Sequence, residues 1–173
     1  MYIIGGKEAE MTREGLADLA SLGVKVCDHR EWGGWIRPDG SLVGPFPGAS
    51  REFDRGTPEK ERERGEKGWM GFHTHPEGSS PEPTAPDIVG AMVRGTSEFV
   101  VTSKGIWEIR PLEVWDLQRV LEWKERLWRE AEAEAEQWGD EPYWYWVSRV
   151  KREAPVSVEL IDRKGGRDEK DQS

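Results

Sequence analysis

Trp69-Met70-Gly71-Phe72-His73-Thr74-His75-Pro76 and, a little further on, Pro83-Thr84-Ala85-Pro86-Asp87 are the stretches around which the rest of the chain can be arranged. The apolar run after Gly68 leads a buried strand, and at a period of two the side chains of His73 and His75 leave the same face. Pro76 cannot donate to a ladder and ends that strand. Residues 76–83 are rich in Pro, Ser and Gly and read as a loop. Thr84 suits the N-cap of a helix over 85–94 and Asp87 its third position, which sets a carboxylate near the helix N-terminus. A strand ending in two histidines and a helix opening with an aspartate can meet across the loop between them.

Working outward, residues 11–22 read as a helix behind Thr12, with Leu16, Leu19 and Ala20 at helical spacing up to Gly23. Val24 and Val26 alternate with polar residues. Residues 31–36 form a short strand, Pro38-Asp39-Gly40 a turn, and 41–46 the returning strand of a hairpin. Residues 51–67 are almost entirely polar and read as a solvated loop; the alternative is a short helix with Thr57 as N-cap and Pro58 at its first position. Downstream, 98–102 and 106–109 make a hairpin about Lys104-Gly105. Residues 111–137 read as the longest helix. Its apolar face carries Val114, Leu117, Leu121, Trp128 and Ala131, widened by Val120, Trp123 and Leu127. That Trp-rich stripe reads first as a packing surface, and it is wide enough to meet a partner. Residues 143–150 suit a second helix, 156–160 a last strand, and the chain from Gly165 a disordered tail.

Composition bounds the possibilities. The chain has 173 residues, a length suited to one domain. Hydrophobic residues make up 35 %, and with 20 glycines this lies in the globular range. The mean hydropathy of −0.79 reflects the 34 % of charged residues, since ten Trp and four Phe require a core. No stretch approaches the ~18–20 apolar residues of a membrane span. The N-terminal residues lack the pattern of a signal peptide. Cys27 is the single cysteine, so no intrachain disulfide can form and a cytoplasmic setting is expected. A net charge of −9 argues against nucleic acid as the main partner, because a duplex binder replaces counterions with basic surface. Asparagine is absent and glutamine rare, a pattern that a thermophile's economy of labile residues and a GC-rich codon bias explain equally well. The oligomeric state is not legible.

His73, His75 and Asp87 supply three ligands, the number a catalytic zinc site uses while leaving a place for water. Zinc lowers the pKa of such a water to about 7 and polarises a carbonyl. The third histidine, His29, lies in Asp28-His29-Arg30 and reads as a surface residue.

The stretches Gly71-Phe72-His73-Thr74-His75-Pro76 and Pro83-Thr84-Ala85-Pro86-Asp87 together resemble the motif of the JAMM (MPN+) metalloproteases, in their prokaryotic type. That pattern is a distant upstream Glu, then His-x-His-Pro, then Ser-x-x-Asp. The resemblance covers about residues 11–130 and follows the family's order of elements. It implies an α/β, cytidine-deaminase-like mixed sheet flanked by helices, here with a long Trp-rich C-terminal helix. The division it suggests is a metalloprotease-like domain over 1–137, a helix-and-strand extension over 138–161 and a tail over 162–173. It also implies hydrolysis of a peptide or isopeptide bond in a protein or peptide substrate, with ubiquitin-like conjugates as a candidate class.

Carried over by position, the resemblance makes His73, His75 and Asp87 zinc ligands. Thr84 stands where the family has Ser, whose hydroxyl helps hold the bound water and the tetrahedral intermediate. Eleven residues separate His75 from Asp87, one more than usual, and the extra one falls in the 77–82 loop. Glu31, in Glu31-Trp32-Gly33-Gly34, resembles the family's upstream Glu; a carboxylate there can take a proton from water and pass it to the leaving amine. Its rivals are Glu52, Glu77 and Glu98. Glu77 lies too near the ligands in sequence, and Glu98 opens a strand beyond the Asp helix. Two other readings stay open: a non-catalytic MPN-like interaction module, and a nucleic-acid-associated protein resembling the bacterial RadC group, to which His75-Pro76-Glu77-Gly78 is similar.

Overall fold

The computed structural model describes residues 2–4, 7–9, 13–22, 30–48 and 55–163. The chain opens with β1 (Tyr2–Ile4) and β2 (Lys7–Ala9), an antiparallel two-stranded ribbon, followed by α1 (Arg13–Ser21). β3 (Trp32–Ile36) and β4 (Leu42–Pro47) form a hairpin whose turn is closed by Arg37 and Ser41. Next come α2 (Pro58–Glu66), β5 (Met70–Thr74) and α3 (Ala85–Arg94). The hairpin of β6 (Glu98–Thr102) and β7 (Gly105–Pro111) leads into α4 (Leu117–Trp138), α5 (Tyr143–Glu153) and β8 (Val156–Arg163).

Among the described residues the result is an α/β architecture: a mixed six-stranded sheet in the order β4-β3-β5-β6-β7-β8, flanked by five helices. Only β5 and β6 run parallel, as the crossover through α3 requires; the other neighbours are antiparallel. Alternation along the strands divides the core. Met70 and Phe72 of β5, Phe99 and Val101 of β6 and Ile106 of β7 face Leu19 and Leu22, at and just beyond the end of α1. Val100 and Ile109 face the other way, into a larger cluster with α3, α4 and α5. His73 and Glu98 share that second face, because Gly71 stands opposite Glu98 and His73 opposite Val100.

Two expectations need correction. Residues 58–66 are helical where a solvated loop was the first reading. Thr57 caps the helix by accepting from the Lys60 N–H at 3.3 Å, Pro58 opens it, and Glu61, Arg62 and Gly65 are buried. The long helix starts at Leu117, not at 111. Pro111 still belongs to β7 opposite Val156, and Asp116 provides the cap by accepting from the Arg119 N–H at 2.9 Å. Its buried stripe is Val120, Trp123, Leu127, Ala131 and Ala135; Val114 lies outside the helix and Trp128 at its exposed margin. The stretch over 138–161 is built into the same body: α5 packs on α3 and α4, and β8 pairs with the whole of β7. The readings placed on Thr12, Val24, Val26, Cys27, His29, Glu52 and the tail from Gly165 lie outside the described residues. Among the described residues, no helix is long and apolar enough to cross a membrane.

Candidate metal centre

The centre grows from the end of β5. His73 is its fourth residue, held against Gly33 of β3 on one side and Val100 of β6 on the other. His75 lies one residue past the strand, yet its N–H still donates to the Val101 carbonyl at 2.9 Å, so the ladder continues through it. The loop that follows is tied down. The Ser79 N–H and hydroxyl both donate to the Pro76 carbonyl, and the Pro81 carbonyl accepts from the Thr102 hydroxyl at 2.7 Å and the Trp107 indole N–H at 3.1 Å. This loop is therefore a pinned turn, and α3 begins within reach of the histidines. Asp87 is fixed by its own helix start, since the Thr84 N–H donates to its Oδ2 at 2.9 Å.

The three side chains converge. Asp87 Oδ1 lies 3.0 Å from His73 Nε2, and Asp87 Oδ2 lies 3.0 Å from His75 Nε2. The two Nε2 atoms are 3.2 Å apart. The far side of each ring explains this geometry. His75 Nδ1 lies 2.9 Å from the Ser80 carbonyl, which can only accept, so Nδ1 carries a hydrogen and Nε2 is the atom left for an ion. His73 Nδ1 lies 2.7 Å from Glu98 Oε1. Two Nε2 atoms and a carboxylate pointed at one spot suit a cation, whether a metal ion or a proton. Two nitrogens at ~2.0–2.1 Å from a tetrahedral ion would be about 3.3–3.4 Å apart, close to the spacing seen. His73, His75 and Asp87 thus form a group, with ligand atoms all within 4.8 Å of one another, that could hold a metal ion.

The electrostatics agree. Burial acts to lower the His73 pKa, but the carboxylates of Asp87 and Glu98 outweigh it and raise it to about 10. Burial likewise acts to raise Asp87 and Glu98. The charge of His73, with hydrogen bonds to His73, His75 and the Thr84 N–H, holds Asp87 well below the carboxylate range. Arg55, Arg94 and His73 do the same for Glu98. A cation is thus favoured at the centre, and a proton fills that role where no metal does.

A cavity of about 430 Å³ opens beside the cluster, and Glu31, His73, Pro86, Asp87 and Gly90 contribute to its wall. Glu31 is exposed just ahead of β3, on the same side of the strand as Gly33, which stands opposite His73; its carbonyl accepts from the Gly48 N–H at 2.7 Å. Thr84 is half-buried at the N-cap of α3. Glu77 is exposed in the turn after Pro76. Glu98, set aside at the sequence level, reaches the centre from behind His73 in company with Arg55, Arg94 and Glu61. Sequence reasoning missed that group; its one legible hint was Gly71, a glycine inside a strand.

Comparison with known proteins adds no relative: no protein-family model, curated protein or solved structure matches the chain.

Proposed function

We propose that the chain is a zinc-dependent peptidase or isopeptidase of the JAMM (MPN+) kind, with that family's cytidine-deaminase-like fold. The observation that carries this reading is the convergence of His73, His75 and Asp87 beside a cavity lined by His73, Asp87 and Glu31. Two imidazoles and a carboxylate form a three-ligand set that suits zinc and leaves one position open. Zinc held there supplies a Lewis acid that lowers the pKa of a water to about 7 and polarises a carbonyl. Asp87, anchored through the Thr84 N–H, keeps its carboxylate turned to both histidines. Glu31 takes the proton of the attacking water and returns it to the leaving amine. The Thr84 hydroxyl stands where the family uses Ser and donates to the oxygen on which charge develops. The substrate class is a peptide or isopeptide bond in a protein, with ubiquitin-like conjugates the first to test.

Elemental analysis and turnover together test the proposal. The purified protein is expected to hold one zinc per chain and His75→Ala to hold none. Glu31→Gln is expected to keep zinc and lose roughly 10²–10⁴-fold in rate on cleavable peptides or conjugates. A protein that takes up no zinc even after loading would overturn the hydrolase reading and leave a fold used for binding. A Glu31→Gln variant as fast as the parent would remove Glu31 from its role.

A further inference from the structure

Behind His73, on the Nδ1 side of its ring, lies a chain of buried ions that also reaches the cavity wall. Glu98 Oε1 is 2.7 Å from His73 Nδ1 and 2.9 Å from Arg55 Nη2, while Glu98 Oε2 is 2.8 Å from Arg94 Nη2. Arg94 is held in turn: its Nη2 donates to the Ser97 carbonyl at 2.7 Å, its Nε to the Thr96 hydroxyl at 2.8 Å, and its Nη1 to Glu61 Oε2 at 3.2 Å. Glu61 accepts from the Trp35 indole N–H at 3.1 Å and from Arg64 at 2.6 Å. Arg94 is 1 %, Glu98 4 % and Glu61 6 % exposed.

Burying three such ions is an expensive way to fill a core, and well-packed apolar side chains are often as stable or more so. The sequence makes room for them all the same. A Cβ at Gly71 would collide with Glu98, Arg94 and Arg55, and one at Gly65 with the Arg94 backbone. The network touches the cation-binding cluster at one atom, His73 Nδ1.

We infer that Glu98 is the positioning residue of the metal centre, fixing His73 as an Nε2 donor. Held between two guanidinium groups, its carboxylate can only accept. The imidazole therefore keeps a hydrogen on Nδ1, which leaves Nε2, turned toward Asp87 and His75, as its one atom for an ion. The Ser80 carbonyl holds a hydrogen on His75 Nδ1 in the same way, so both Nε2 atoms face the centre before an ion arrives. The negative charge behind His73 also strengthens it as a donor. The inference rests on the metal-binding half of the proposed function and not on hydrolysis.

The test reads zinc affinity by chelator competition, together with the visible absorption of the cobalt(II)-loaded protein. Glu98→Gln is expected to weaken zinc binding about 10–100-fold and to alter the cobalt spectrum. Glu98→Asp, which keeps the charge on a shorter arm, is expected to fall between it and the parent. A Glu98→Gln protein that binds zinc as tightly as the parent overturns the inference and leaves the centre standing; a parent that binds no zinc overturns the centre and the inference with it. Should the variants fail to fold, nitrogen-15 NMR of the zinc-loaded parent decides. Hydrogen on His73 Nδ1 with coordination through Nε2 supports the assignment, and the reverse overturns it.

Discussion

A methyl group at position 71 has nowhere to go. Gly71 pairs with Glu98 across β5 and β6, and the space in front of its Cα holds the Glu98 carboxylate and the guanidinium groups of Arg94 and Arg55. Arg55 is partly exposed and can swing, but Arg94 and Glu98 are locked by their own hydrogen bonds. Gly71→Ala is therefore expected to destabilise the metal-free protein by about 1–3 kcal/mol, the range for overpacking a core. Thermal melting checks this, and an unchanged midpoint would mean that the ion network yields without strain. The same position shows where sequence reading stops at this scale. His73, His75 and Asp87 could be picked out because strand period and helix capping aim their side chains from local sequence alone. Glu98 opens a strand and Arg94 closes a helix, and each looks like an ordinary surface charge until its partner from another element stands beside it.

At the scale of elements, α2 was the hardest to read, because it has no apolar stripe for periodicity to find. It packs through polar atoms instead. Arg62 donates from Nε to the Val93 carbonyl at 2.7 Å, from Nη2 to the Met92 carbonyl at 3.0 Å and from Nη1 to the Trp115 carbonyl at 2.7 Å. One guanidinium thus satisfies carbonyls in the last turn of α3, which lack helical partners, and ties them to the lead-in of α4. Charged hydrogen bonds of this kind contribute about 1.5–3 kcal/mol each in isolation, and three from one group do not add fully. Arg62→Ala is expected to destabilise by roughly 2–4 kcal/mol in urea unfolding. Arg62→Lys is expected to recover less than half of the loss, since a single ammonium cannot span the three carbonyls. Full recovery by Lys would reduce the role of Arg62 to charge. The misplaced start of α4 has a related cause. Pro111 fits the opening of a helix, but the Leu112 N–H donates to the Pro155 carbonyl and keeps this stretch with β8, a distant pairing that local signals do not carry. The β1–β2 ribbon had no place in the sequence reading, while the other helices and strands were legible to within a few residues, because caps such as Thr84 and turns such as Lys104-Gly105 act over short range.

Across the whole molecule, the centre joins parts of the chain that the sheet alone would leave loosely linked. Its ligands come from the end of β5 and the start of α3, and Glu98 brings in β6 behind them. Closing the 76–83 loop over the cluster relies on Ser80, Pro81 and Asp87. An ion that binds the folded chain and not the unfolded one stabilises every element that its ligands connect. With free zinc at a hundred times its dissociation constant, the gain is about 2.7 kcal/mol. For a domain of this length each kcal/mol moves the melting midpoint by roughly 2–4 °C, so zinc is expected to raise it by roughly 5–10 °C. Calorimetric scans with zinc and with excess chelator measure the difference directly. His75→Ala is expected to melt at the same temperature in both, because a single imidazole and Asp87 cannot hold the ion under chelator. A parent protein with identical scans in zinc and chelator would mean that the cluster is satisfied by its own proton and hydrogen bonds. The His73–Asp87 pair would then be the end state of the centre and not a stand-in for a metal.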